Sequence, residues 1–318
     1  MAAYYTDAPA RLPKPAARVP TEAKVSSRAT LLLLRVAWAT LPLTAGPAAT
    51  AGLRGWSDGP RVVAEVLLWG AWSAGLLAVL APRPETLTAL RVVAPASLGV
   101  VVAVTTGGAP SAIATIGALV ATVVCAALAS GHDVAFAAAN ARAYGDEQRF
   151  PLRLPPALYL GPLPVARAVV AAGIASGPLL LADGRIAPGV VTLVVAVPLV
   201  PLLVRALHGL SGRWAVLVPA GLVIVDPLTL ADPVLFLRER IVRLQPVPPR
   251  RAPGDALDLR LGAAAGTVSM RFDEPADVMR ARRARGGAET VRTTEIWFAV
   301  VRRERLLATA ARRRLRVA

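Results

Sequence analysis

The stretch 187–227, APGVVTLVVAVPLVPLLVRALHGLSGRWAVLVPAGLVIVDP, decides the fold. Its first half is an apolar run, 190–204, that ends at Arg205. In its second half, residues 213–218 and 222–225 are rich in Val, Leu and Ile and flank Pro219, Ala220 and Gly221. A type I turn favours Pro at its second position and Gly at its fourth, so this half predicts a β-hairpin closed by Asp226 and Pro227. The period of the sequence changes here. The chain before this point is expected to lie in a bilayer, and the chain after it to form a soluble basic domain.

Composition supports the division. Of 318 residues, 55% are hydrophobic, and the mean hydropathy is +0.55. The apolar residues come in long blocks, which argues for a bilayer. There are 36 Lys and Arg against 20 Asp and Glu, a net charge of +16. Most of that excess lies at the N-terminus and after Arg205. A basic tail beside apolar blocks fits contact with anionic lipid, and without a reading-helix motif or interleaved aromatics no nucleic-acid partner is expected. The single cysteine, Cys125, excludes a disulfide framework and a cysteine-type zinc site, and its apolar surroundings make it a core residue. His132 and His208 are far apart, and no G-x-S-x-G, H-E-x-x-H or phosphate-cradling Gly-Lys-Ser/Thr pattern is present. The expectation is therefore no catalytic residue, no metal and no cofactor.

Working back from 187, six transmembrane helices are predicted, at 30–53, 62–81, 87–105, 111–129, 163–181 and 187–204. Each is of the length that crosses a hydrocarbon core of about 30 Å at about 1.5 Å per residue. Together they make a transmembrane domain over 30–207, preceded by a disordered tail, 1–29, that holds Pro9, Pro13, Pro15 and Pro20. The small pair Ala49 and Ala51 makes a cleaved leader the competing reading of the first span. Pro178 and Pro198 are expected to kink spans five and six. The tail, the loop at Arg83, the loop from Arg142 to Arg153 and the C-terminal domain carry most of the Lys and Arg outside the spans. The positive-inside rule puts all of them, and both termini, in the cytoplasm.

The connection 131–156 is the longest between spans and the densest in side-chain chemistry. Asp146 and Glu147 can ligate a divalent cation or pair with Arg149 and Arg153, and His132 and Asp133 can form a proton-relay pair. No established ligand spacing supports a metal, so the preferred reading is a cytoplasmic interaction loop of structural ion pairs around Asp146, Glu147 and Arg149. Glu65 is the one acid of the spans that can be buried, and Arg61, one helical turn away, is its partner in an interfacial ion pair.

Beyond the hairpin, 234–244 is expected as a third strand, and 257–261 is expected to pair with 268–272 across the link 262–266. Asp273 can cap a short helix from Pro275 that carries Arg280, Arg282, Arg283 and Arg285 and stops at Gly286 and Gly287. Another strand follows at 296–300. From Arg302 the chain turns helical, with Leu307, Ala311 and Leu315 on one stripe and Arg312, Arg313, Arg314 and Arg316 largely elsewhere. Five or six strands and a terminal amphipathic helix over 208–318 resemble a bacterial PH-like barrel. With the Arg, Ala, Val, Leu and Pro usage of a high-GC bacterium, the whole chain resembles actinobacterial multi-pass membrane proteins with a cytoplasmic PH-like tail. That resemblance implies a helical membrane bundle followed by a small mixed β-barrel with a C-terminal helix, and it implies no reaction.

The expected role is an integral membrane interaction or regulatory protein of the bacterial inner membrane. Arg280, Arg282, Arg283, Arg285, Arg312, Arg313, Arg314 and Arg316 would face anionic headgroups, and a protein partner would add to an exposed strand edge. The alternative is a small transporter or channel, for which the sparse polar lining fits a hydrophobic or lipid-like substrate best.

Overall fold

In the computed structural model, residues 22–107, 110–141, 143–282 and 287–318 are described, and they divide into an apolar helical bundle and a two-sheet domain. The bundle begins with three consecutive helices, α1 (Glu22–Ala39), α2 (Leu41–Thr44) and α3 (Gly46–Leu53). It continues with α4 (Asp58–Leu80), α5 (Pro84–Gly107), α6 (Ala112–Ser130) and the short α7 (His132–Asn140). Strand β1 (Gln148–Pro151) follows, then α8 (Pro156–Leu160), α9 (Pro162–Ala182) and α10 (Ile186–Ser211).

Among the described residues, five helical stretches are long and apolar enough to cross a membrane: Asp58–Leu80, Pro84–Thr106, Ala112–Ser130, Pro156–Ala182 and Ile186–Ser211. The first expected span differs from these, because helix 22–53 is interrupted at Thr40 and Ala45, next to Pro42 and Pro47. Proline removes a backbone donor and fits best in the first turn of a helix, and Pro42 and Pro47 each stand there in a new segment, whereas Pro95, Pro178, Pro198 and Pro201 lie inside helices that continue past them. Helix α1 also reaches back to Glu22, so residues 22–29 of the expected tail are helical; after Pro20 no residue there breaks a helix. The rest of that tail, 1–21, lies outside the described residues.

Packing in the bundle places many small residues inside, beside Leu34, Trp38 and Leu90, and leaves many large aliphatics outside. Ala48, Ala78, Ala94, Ala118, Cys125 and Ala129 are buried, whereas Ile113, Ile116, Val191, Val194, Val197 and Leu202 are exposed. Where contact rather than water expulsion holds helices together, small side chains let backbones approach. A Cβ on Gly177 would meet Leu193 at 2.6 Å, and one on Gly189 would meet Leu181 at 2.7 Å, so α9 and α10 cross through two glycines. The largest buried side chain is Trp38, whose Nε1 donates to the Trp72 carbonyl at 2.9 Å while Trp72 Nε1 donates to the Trp38 carbonyl at 3.0 Å. This reciprocal pair ties α1 to α4. The Arg35 Nε–H adds a bond to the Val79 carbonyl at 2.9 Å.

The expected hairpin is present as β2 (Trp214–Val218) and β3 (Gly221–Val225), with Val218 opposite Gly221. The expected strand 234–244 is instead two strands. β4 (Val234–Leu237) and β5 (Ile241–Pro246) are separated by a 3-10 turn at Arg238–Arg240 and belong to different sheets. The charged triplet Arg-Glu-Arg forms this corner. The expected pairing of 257–261 with 268–272 is also replaced. β6 is only Leu257–Asp258 and runs parallel to β8, because Leu261 and Gly262 both take positive φ and end the strand.

The remaining strands form one long hairpin, β7 (Thr267–Ala281) with β8 (Ala288–Ala299). The expected helix from Pro275 is therefore strand. Its Ala and Arg favour a helix, but Val278 pairs with Val291 and is fully buried, and that pairing outweighs local propensity. The acidic Asp273 and Glu274 and Pro275 fall in the register shift between Arg271 and Ala276. The sheets run β1-β2-β3-β4 and β5-β7-β8-β6. Bridges at Leu152 with Val300 and at Leu230 with Arg280 join them at two corners.

Helix α11 (Arg303–Arg312) closes the chain. Its buried face is Leu306, Leu307 and Ala310, not the expected stripe, for Ala311 is exposed. Leu315 is buried after the helix has ended, where Arg314 turns the chain with φ 61°. The core of the sheet domain also takes in Phe136, Phe150 and Leu152, so this domain extends beyond 208–318 into the connection between α6 and α8.

Candidate functional site at the junction

The connection expected to hold a site is the seam between bundle and sheets. β1 forms because Phe150 is apolar between Arg149 and Pro151, and it pairs antiparallel with β2, Gln148 to Leu217 through Pro151 to Trp214. The Asn140 side chain serves as its outer partner. Asn140 Oδ1 accepts from the Arg149 amide at 2.9 Å, and Nδ2 donates to the Arg149 carbonyl and the Phe136 carbonyl, each at 2.8 Å. A single amide thus satisfies both backbone groups of an edge residue.

Helix α7 carries the rest of the seam. Asp133 accepts from Thr30 Oγ1 of α1 at 3.0 Å and from Arg302 at the head of α11. The Arg302 and Arg305 guanidiniums lie over the Phe136 ring, 5.1 and 4.4 Å from its centroid. Arg305 Nε and Nη1 are buried with no acceptor, so the ring face is what offsets their lost hydration. Burial, then Arg302 and Arg312, lowers the Arg305 guanidinium below its ordinary value. For His132, burial first and then the Arg153 and Arg91 guanidiniums push the imidazole down, with Asp133 opposing them. His132 is therefore neutral at pH 7, and Asp133 is engaged by Thr30 and Arg302 rather than set up as its relay partner.

Within the expected loop trio, Glu147 and Arg149 form an ion pair. Arg149 Nε lies 2.7 Å from Glu147 Oε1, and Glu147 Oε2 accepts from the Tyr144 amide at 3.2 Å. Burial alone would raise the Glu147 carboxyl, but the Arg149 hydrogen bond, the Tyr144 amide and the Arg149 charge hold it below the usual carboxylate range. Arg149 also sits over the Trp214 ring at 5.2 Å. Asp146 contributes its backbone carbonyl to Arg313, which donates to the Leu217 carbonyl as well, at 2.8 Å. Arg313 thus pins α11 to the β1–β2 corner and is engaged there, unlike Arg312, Arg314 and Arg316, which are exposed. Arg280 is exposed and Arg282 pairs with Glu289 at 3.3 Å; Arg283 and Arg285 lie outside the described residues. Arg61 and Glu65 form the expected pair at 3.1 Å, both about half-exposed.

Sequence reasoning missed the buried pair Arg213–Asp226. Nε and Nη2 of Arg213 donate to the two Asp226 carboxylate oxygens at 2.7 Å each, with both side chains fully buried. The signal was available, since an Arg and an Asp flank a hairpin as its first and last residues. Arg213 lines a small, partly open cleft between the bundle and the sheets, together with Arg91, His132, Tyr159, Ser211 and Trp214. A second and smaller pocket lies between α5, α9 and α10, bounded by Thr88, Arg167, Leu163 and Leu207. Among the described residues no group of three or more His, Cys, Asp or Glu is arranged to hold a metal ion. Comparison with protein-family models, with curated proteins and with solved structures finds no significant match to this chain.

Proposed function

We propose that the chain is an integral membrane interaction or regulatory protein that holds a basic, PH-like domain at the cytoplasmic face of a bacterial inner membrane. The observation that carries this reading is the origin of β1: the sheet domain takes a strand from the connection between two apolar helices. A domain built this way has one orientation relative to the bundle, which suits a fixed platform. Five helices long and apolar enough to span, with 22–53 as the sixth crossing, would put the N-terminal segment and the sheets on one side. Two sheets bridged at two corners, with the buried face of α11 in their shared core, support the PH-like reading.

Arg280, Arg312, Arg314 and Arg316 would contribute about 1 kcal/mol each near an anionic surface, enough to orient a domain already anchored. β4 is an edge strand with Leu235 and Leu237 exposed, and a partner segment would add there.

Two measurements test the two halves of this reading. With Cys125→Ala as background, Ala308→Cys should react with an impermeant maleimide only after the membrane is opened, and Ser57→Cys in intact cells. The opposite pattern rejects the orientation. A photo-crosslinker at Leu235 of the full chain should capture one protein at near-stoichiometric yield; capture of lipid or of the chain alone rejects the partner and favours the transport alternative.

A further inference from the structure

We propose that the junctional cleft is a binding site for a phosphate-bearing anion, held by Arg91, Arg167 and Arg213. This goes beyond the platform reading, because the exposed arginines of that reading lie elsewhere on the molecule.

The cleft and the smaller pocket are adjacent, for Arg91, Leu154, Leu210 and Ser211 border both. Arg213, only 2% exposed, has Nη1 buried without an acceptor even though its other two nitrogens hold Asp226. Arg91 has its Nε buried without an acceptor as well. Buried donors are nearly always paired, so two orphans on residues lining one cavity mark a missing acceptor.

Charge makes that acceptor an anion. No carboxylate lines either cavity among the described residues, and neither Arg91 nor Arg167 is in an ion pair there. The Arg213 charge is met by Asp226, so Arg213 supplies a donor, while Arg91 and Arg167 supply uncompensated charge. Tyr159 adds a hydroxyl donor to the lining. A tetrahedral phosphate has several acceptor oxygens and the geometry that guanidinium groups match. The shared chemistry is a phosphate; its source is the headgroup of a phospholipid or a free phosphate compound.

The full chain, purified in neutral detergent, tests this by native mass spectrometry with phosphatidylglycerol and phosphatidylcholine as probes. The expected result is that phosphatidylglycerol survives a wash that removes phosphatidylcholine. Arg91→Gln and Arg167→Gln should each lower its retention about tenfold, and by more than Arg312→Gln with Arg316→Gln on the exposed face does. A free phosphate source gives a different result: no retained lipid, but a higher melting temperature in inorganic phosphate for the parent chain and not for Arg91→Gln. Should Arg91→Gln fail to fold, Arg167→Gln carries both arms. Equal behaviour of parent and folded variants in both arms overturns the site, as does equal loss from the Arg312 and Arg316 variant, which would put the lipid on the outer face.

Discussion

The bundle and the sheet domain are packed differently. In the bundle Ala48, Ala78, Ala94, Ala118, Cys125 and Ala129 are buried beside larger side chains such as Leu34, Trp38 and Leu90, and many large aliphatics point outward; in the sheets Leu217, Ile224, Met270, Ile296 and Phe298 are buried and Arg243, Arg271 and Arg292 point outward. A core of large side chains draws its stability from removing apolar surface from water. A bundle with many of its large side chains outside draws less from that source and depends more on close contact between backbones. The two regions should therefore fail differently when perturbed, and hydrogen exchange read separately over β2–β3 and over α1 and α4 distinguishes them.

The largest effect is expected in the sheets. Asp226→Ala leaves the buried Arg213 guanidinium without its carboxylate and also removes the acceptor for the Leu228 amide, 3.1 Å from Asp226 Oδ1. Breaking a buried pair in this way costs about 3–5 kcal/mol. Exchange should rise across β2 and β3, and in α1 and α4 it should not change. A loss spread equally over both regions would mean that they unfold as one unit.

The converse perturbation is Gly75→Val in α4. A Cβ at Gly75 would lie 2.0 Å from the Trp38 ring, which is buried and held at both ends by the Trp72 exchange. Overpacking of this kind costs about 1–3 kcal/mol. Exchange should rise in α1 and α4, with the sheets unaffected except where Asp133 links Thr30 to Arg302.

The same contrast explains what could be read from sequence. Apolar blocks such as 112–130 declare themselves locally, and so does the hairpin at Pro219 and Gly221, whose partners are adjacent. The other strands have distant partners. β1 is four residues inside a polar connection, and its partner β2 begins 63 positions after Pro151, at Trp214. Nothing in residues 148–151 names that partner. Similarly, 276–281 reads as helix until Val278 meets Val291 across the hairpin. The Glu147–Arg149 ion pair was legible because its members are neighbours. The cleft was not, since Arg91, Arg167 and Arg213 come from three separate elements and converge only in the fold.

The smallest effect is expected at Arg61 and Glu65, the pair that distinguishes a platform from a proton-coupled device. The two lie one turn apart on α4 at 3.1 Å, each side chain about half-exposed. Such helical pairs contribute about 0.3–0.5 kcal/mol, and the order here is the weaker one, with the cation toward the N-terminus. Glu65→Gln should leave exchange in both regions within error and leave the retained lipid unchanged. If instead the substitution opened α4 by several kcal/mol, the pair would be desolvated, and Glu65 would be the titrating acid that the transport alternative needs. The neutral outcome leaves Asp133, between Thr30 of α1 and Arg302 at the head of α11, as a charged link between the two regions.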